Sequence, residues 1–320
     1  MDVGVIGAGT MGKNHVRIYS ELKDVGSVYV YDVDEGAAEA VCTQYSVTAA
    51  DSIDSLFENV DAVSICAPTR HHFEIAKEAI EKGVDCLIEK PISLTSDEGE
   101  RLLEIIRDRN GTGTNGDSGL VVGVGHIERF NPIVEEMKKL IEQPRYIEVR
   151  RHNPGSSRIT DACVAADLMI HDIDLIWNCL MAGFDYGDCE PHSLWDNDLC
   201  KVTSRFNGCI VSLSASRIGC KKIRSIYVED EEFSIEGDFM NQEVYIYRKP
   251  RGYGETDCRY VQENMIEKVL VNKVEPLKEE LKTFIECVKD GKQFPITPEQ
   301  AVLNVRIVEK IRGDGAENGR

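Results

Sequence analysis

The chain has 320 residues, 42% of them apolar, and a formal net charge of −19, a length that suits two packed domains and an acidity that argues against nucleic acid or an anionic membrane surface as partner. No stretch is apolar for long enough to span a bilayer, and the opening residues already read as a strand, so no leader and a cytoplasmic location are expected. Eleven cysteines, odd in number and with no C-x-x-C pair, fit reduced thiols better than a disulfide framework or structural zinc.

Residues 3–12 read V-G-V-I-G-A-G-T-M-G, a short apolar run flowing into Gly7, Gly9 and Gly12 with G-x-G-x-x-G spacing. This pattern predicts a buried strand, a tight turn and a helix over residues 11–22. Gly7 allows the turn, Gly9 admits a pyrophosphate to the main chain, and Gly12 lets helix and strand pack closely. Thr10 and Met11 then open a helix whose N–H groups and dipole favour an anion. The next strand, residues 27–31, ends at Asp32, placed to bind the adenosine ribose and to repel a 2′-phosphate. The pair of signals points to a dinucleotide, with NAD favoured over NADP; a solvated turn acid is the plainer reading of Asp32.

Further along, a helix is predicted after Asp34 and a short one near Asp51, then a buried strand over 62–66. A helix over 73–82 stops at Gly83, a strand spans 85–88, a helix spans 97–109 with Ser96 or Asp97 as cap, and a strand covers 120–124. Residues 110–119, N-G-T-G-T-N-G-D-S-G, lack any apolar side chain and read as a flexible surface loop. Strands alternating with helices predict a doubly wound parallel sheet, a Rossmann domain over residues 1–125.

After residue 126 the pattern changes. Helices are expected over 132–142 and 167–180, strands over 146–151, 200–206, 209–215, 224–228, 232–235 and 243–247. Asn207-Gly208 and Glu236-Gly237 read as turns. Successive strands without helices between them imply an α+β domain over 126–312 with a large open, mostly antiparallel sheet. One face of that sheet needs a cover, and a second copy of the chain is the simplest one, so a homodimer or homotetramer is expected. Helices over 276–289 and 298–310 close the domain, and residues 313–320 are expected to be disordered.

Three groups carry candidate chemistry. Ala67-Pro68-Thr69-Arg70-His71-His72 follows the strand over 62–66, at the carboxyl end where an α/β sheet binds ligands. Thr69 capping a helix is the plainer role for this loop. Glu89-Lys90-Pro91 follows the strand over 85–88, where a lysine can donate to a reacting hydroxyl and lower a neighbour's pKa. Pro91 restricts Lys90 to extended geometry. The third group is D-L-M-I-H-D-I-D, residues 167–174, in which Asp167 and His171 share one helix face. Acid–base work and a helix with dipole-stabilised acids are both open readings of this run. No set of side chains with metal-ligand spacing is recognised.

Taken together these groups resemble the glucose-fructose oxidoreductase / inositol dehydrogenase / rhizopine-catabolism family. The likeness rests on G-V-I-G-A-G-T-M-G-K-N-H, the A-P-T-R-H-H loop, E-K-P, the pair Asp167 and His171, and the closing E-P-L-K-E-E-L-x-x-F-I-x-x-V-x-x-G. It implies NAD-dependent oxidation of a sugar ring hydroxyl to a ketone, with Lys90, Asp167 and His171 as the catalytic set. His171 takes the proton, Lys90 holds the oxygen, and Asp167 orients substrate or tunes His171; in some relatives lysine is the base, so the first two roles stay open. Gly7, Gly9, Thr10, Met11, Gly12, Asp32, Ala67, Pro68, Thr69, His72, Glu89 and Lys90 are then expected around NAD. One departure is D-A-C-V-A-A-D at residues 161–167, where many members carry a double glycine.

G-H-I-E-R-F-N-P at 125–132, the 167–174 run and K-K-I-R at 221–224 resemble the members that oxidise UDP-N-acetylglucosamine at its 3-hydroxyl. Basic residues in an acidic chain, among them Arg145, Arg150, Arg151, His152, Arg158, Arg217, Lys221, Lys222 and Arg224, suit a diphosphate, although charge balance among surface acids is an alternative. Arg129, Asn131, Arg151, Arg158, Asp167 and His171 are expected to meet the substrate, and the resemblance implies that this is a UDP-sugar. A dehydrogenase of free polyols such as inositol is the runner-up, and a non-catalytic NAD-binding regulator the more distant alternative.

Overall fold

The computed structural model describes residues 1–111, 119–154, 162–182, 191–206, 208–249, 253–256, 259–262 and 264–318. The chain divides into two compact units, one of Met1–Ile127 with Glu275–Arg306, the other of Glu128–Val274 with Ile307–Arg320. The expected surface loop over 110–119 falls largely, and Arg158 falls wholly, outside the described residues.

The first unit is built on a six-stranded sheet in the order β3-β2-β1-β4-β5-β6. Its strands are β1 (Val3–Ile6), β2 (Val28–Tyr31), β3 (Thr48–Ala49), β4 (Ala62–Ile65), β5 (Asp85–Glu89) and β6 (Val122–Gly125), all parallel. β1, β4 and β6 are buried along their whole length, which is why they lack the alternation of a half-exposed strand; the one polar side chain among them, Ser64 of β4, is bonded to the Tyr19 hydroxyl. Between them lie α1 (Thr10–Glu21), α2 (Glu35–Tyr45), α3 (Ile53–Glu58), α4 (His72–Lys82) and α5 (Ser96–Gly111). Local chemistry sets their ends. The Asp34 side chain accepts the Ala37 N–H at the start of α2, Ser52 does the same for Ser55 before α3, and Gly83 ends α4 in the left-handed region at φ +80°.

Two helices that the sequence reading gave to the second domain are divided differently. α8 (Pro276–Asp290) and the first part of α9 (Pro298–Asn318) group with the parallel sheet. Leu277, Leu281, Phe284 and Ile285 of α8 are buried, and the ring of Phe294 seats over Gly123, where a β-carbon would lie 2.5 Å from it. α9 also continues past residue 313 as helix, where a disordered tail was expected.

The second unit carries an eight-stranded sheet in the order β16-β13-β12-β11-β7-β10-β9-β8. The strands are β7 (Tyr146–His152), β8 (His192–Trp195), β9 (Leu199–Phe206), β10 (Cys209–Ser216), β11 (Ile223–Glu229), β12 (Phe233–Asp238), β13 (Glu243–Arg248) and β16 (Met265–Val269); β14 (Tyr253–Thr256) and β15 (Arg259–Gln262) form a separate hairpin. All pairs are antiparallel except β7 with β10. Val149, Val211, Leu213, Ile226, Ile235 and Ile246 point inward to the core. α6 (Pro132–Leu140) and a helical stretch over 165–180 supply the other apolar faces.

Gly208, at φ +89°, makes the tight β9–β10 turn that Asn207-Gly208 signalled. Gly237, by contrast, is not in a turn. It sits inside β12, and a β-carbon there would lie 2.8 Å from Ile226 and 3.0 Å from the Met137 sulfur, so it lets α6 press on the sheet.

Candidate active site

The glycine loop has the shape a dinucleotide needs. Gly7 has φ +103°, and a β-carbon on it would lie 2.7 Å from the Cys66 carbonyl oxygen. At Gly12 the same atom would stand 1.7 Å from the Gly7 carbonyl oxygen, so only hydrogen fits where helix meets turn. Gly9 faces open space. Thr10 and Met11 begin α1, which has no side-chain cap and no acid in its first turn, an arrangement that leaves its positive end to an anion. Asp32 is tied to this loop. One of its oxygens accepts the Ala8 N–H at 2.5 Å and the other the Asp34 N–H at 2.9 Å. The residues thus fit NAD, with a carboxylate held beside the phosphate turn.

Two further loops leave the carboxyl ends of β4 and β5. After β4, Ala67 and Pro68 lead into a 3₁₀ turn, Thr69–His71, and α4 starts directly at His72. Thr69 does not cap α4, whose first turn has no side-chain cap. His72 is 1% exposed. Its Nε2 lies 2.7 Å from the Ala67 carbonyl oxygen and its Nδ1 2.8 Å from the Pro91 carbonyl oxygen. Both nitrogens face carbonyl oxygens of the protein, and His72 braces the loop from behind. Burial pushes its imidazole below the ordinary range.

Glu89 is likewise placed behind the loop. It is buried beneath Gly125, accepts the Lys90 N–H at 3.2 Å, and meets His15 Nε2 at 3.0 Å. Burial alone would raise its carboxyl; the bond and charge of His15, with Lys90 adding, outweigh that and hold it below the usual carboxylate range. His15, wholly buried on α1, was not singled out from the sequence. Its signal in the sequence is its place at the end of the G-V-I-G-A-G-T-M-G-K-N-H run, three residues after the last glycine. Lys90 is half-buried at the end of this braced segment.

In the second unit the 167–174 run lies on one helical stretch. α7 (Ile170–Leu175) is flanked by single π-helical stretches, Ala165–Met169 and Ile176–Leu180. Such wide turns recur at functional sites. His171 is half-buried on α7, and Asp167 is buried one turn before it. Each acid of the run meets an arginine. Asp167 accepts from Arg217 at 2.9 Å, Asp172 from Arg151 at 2.8 Å, and Asp174 from Arg129 through two bonds of 2.6 and 2.8 Å.

This pairing corrects part of the substrate expectation. Arg151 is 1% exposed and bonded to both Asp172 and Glu128, so it is an internal cation and not a ligand of a diphosphate. Arg129 is committed to Asp174 in a bidentate pair. Asn131 is 3% exposed; its side chain caps α6 at the Ile133 N–H and donates to the Phe239 carbonyl. Glu128 sits between Arg151 and Arg224. Burial would raise its carboxyl, but the two guanidiniums hold it low. Asp172, fully buried with Arg151 as its nearest cation, is pushed up by that burial. Arg145 pairs with Glu231 at the surface.

Comparison with known proteins bears on the whole chain. A family profile described as an oxidoreductase family with an NAD-binding Rossmann fold matches residues 1–116. UDP-N-acetylglucosamine 3-dehydrogenase of Acidithiobacillus ferrooxidans is 32% identical over 265 residues, 79% of this chain and 78% of that one. An inositol 2-dehydrogenase of Rhizobium meliloti is 30% identical over 202 residues, 60% of this chain and 56% of that one. A solved structure of the Acidithiobacillus enzyme matches with a TM-score of 0.83 at 27% identity, covering 98% of this chain and 97% of that one. Levoglucosan dehydrogenase in complex with NADH and levoglucosan shares the fold, with a TM-score of 0.81 at 17% identity and 99% and 97% coverage. The chain therefore belongs to the glucose-fructose oxidoreductase / inositol dehydrogenase / rhizopine-catabolism family of oxidoreductases, with an NAD-binding Rossmann domain.

Proposed function

We propose that the protein oxidises the 3-hydroxyl of UDP-N-acetylglucosamine to a ketone with NAD as acceptor. The observation that carries this reading is the 32% identity, over most of both chains, to an enzyme with that activity, joined to the retention of Lys90, Asp167 and His171. NAD held by Gly7, Gly9, Thr10, Met11, Gly12 and Asp32, with Ala67, Pro68 and Thr69 on its nicotinamide side, supplies the two-electron acceptor. Asp32 favours NAD over NADP because its charge repels a 2′-phosphate.

The chain's own groups do the proton chemistry. Lys90 donates to the reacting oxygen and stabilises its developing negative charge. His171 accepts the hydroxyl proton as general base. Asp167, fixed by Arg217, sets the orientation of the substrate or of the imidazole. Since Arg129 and Arg151 are committed to acids, the diphosphate is met by the exposed stretch Lys221-Lys222. The outer face of the large sheet, with Ile210, Ile266 and Leu194 exposed at 48%, 56% and 71%, is covered by a second copy of the chain.

A second reading, oxidation of free polyols, is favoured by the inositol 2-dehydrogenase relative. An NADH-forming assay with UDP-N-acetylglucosamine, myo-inositol and glucose separates the two. Turnover with the UDP-sugar alone supports the first reading; turnover with inositol alone replaces it.

A further inference from the structure

His72 bridges the two loops on which this reading depends. Its ring reaches the Ala67 carbonyl on the β4 side and the Pro91 carbonyl on the β5 side, at 2.7 and 2.8 Å. Ala67 belongs to the loop expected against the nicotinamide. Pro91 directly follows Lys90. On the other side of Lys90, its own N–H is held by Glu89, which is held in turn by His15 from the helix that opens at the glycine loop. Lys90 is thus gripped before and after by buried side chains rooted in the cofactor-binding elements.

We propose that His72 is a positioning residue that joins cofactor placement to lysine placement, one ring nitrogen serving each. The inference rests on the role given to Lys90 under the proposed function. A neutral imidazole carries one N–H, so the two carbonyls share a single proton between them through the two tautomers. The two ties are separable by substitution. An asparagine amide reaches where Nδ1 lies and keeps the Pro91 bond; a glutamine amide reaches where Nε2 lies and keeps the Ala67 bond.

The test compares His72→Asn and His72→Gln with the wild type in three measurements: NADH affinity by fluorescence titration, acylation rate of the Lys90 amine with acetic anhydride read by mass spectrometry, and kcat with UDP-N-acetylglucosamine and NAD. Misplacing a reacting group by about 1 Å costs on the order of 100-fold in rate. His72→Gln is expected to keep NADH affinity, change the Lys90 acylation rate and lose roughly 10- to 100-fold in kcat. His72→Asn is expected to weaken NADH binding while leaving Lys90 acylation and kcat at saturating NAD near wild type. Equal effects of both variants in the binding and acylation measurements, or wild-type values in all three, overturn the coupling. Lys90→Met distinguishes the underlying reading: undiminished turnover in that variant removes the role of Lys90 itself, whereas its loss of turnover alongside indistinguishable His72 variants removes only the bridge.

Discussion

Arg151 lies at 1% exposure between Glu128 and Asp172, and its charge is what allows two carboxylates to be buried in the second unit. Removing one partner of such a cluster leaves a buried ion uncompensated, which costs about 3–5 kcal/mol. Arg151→Met is therefore expected to lower unfolding free energy by that amount in urea titration, and the pair Arg151→Met with Asp172→Asn to recover much of it. A loss under about 1 kcal/mol for the single variant would show that the cluster is not buried in solution. From sequence these arginines looked like ligands for a diphosphate, since clustered basic residues in an acidic chain carry no sign of their partners. Arg129 with Asp174, and Arg151 with Asp172 and Glu128, are pairs drawn from separate stretches of chain, and only the fold brings them together. The glycines were readable for the opposite reason: their G-x-G-x-x-G spacing is a local signal, and Gly12 is pressed by the Gly7 carbonyl five residues before it, although Gly7 itself meets the distant Cys66 carbonyl.

At the scale of elements, short non-alternating and mostly apolar runs marked β1, β4 and β6 because both faces of a parallel strand are buried. Gly237 was misread for want of the same information. A glycine opening a turn and a glycine under a helix look alike until Met137 of α6 is known to press on it. The start of β5 offers a pH-dependent test. Asp85 accepts the Val121 N–H at 2.6 Å, and burial pushes its carboxyl up to about 6, the Val121 bond opposing and Asp61 adding. A folded-state pKa above the unfolded value near 3.9 means that the protonated form is favoured by folding. Its contribution is full below about pH 4 and is lost as pH rises through about 6. Asp85→Asn keeps the acceptor and removes the charge. Discounted for partial solvent access, it is expected to raise stability at pH 8 by about 1 kcal/mol and to flatten the change between pH 4 and 6. Denaturant titrations at pH 4 and pH 8 check this; a variant less stable than wild type at pH 8 contradicts it.

Across the whole molecule, the chain leaves the Rossmann unit at residue 127 and contributes to it again from Glu275. Helix periodicity marked α8 and α9 but held no sign of which sheet they cover, because an amphipathic face fits either one. The buried side chains Leu277, Leu281, Phe284, Ile285, Phe294 and Ile296 belong to the first unit. Each contributes about 1.5–3 kcal/mol on burial, so a fragment of residues 1–127 is expected to show no cooperative thermal transition by circular dichroism. A melt matching the intact protein would contradict the return of the chain. No helix among the described residues is long and apolar enough to cross a membrane. The proposed reaction assigns the reacting oxygen to Lys90 and its proton to His171. It is tested most directly by steady-state NADH formation from UDP-N-acetylglucosamine by the wild type, Lys90→Met and His171→Asn, with NADH affinity measured alongside. The account predicts turnover in the wild type and a fall of at least about 100-fold in each variant with NADH affinity retained; wild-type turnover in both variants would contradict it.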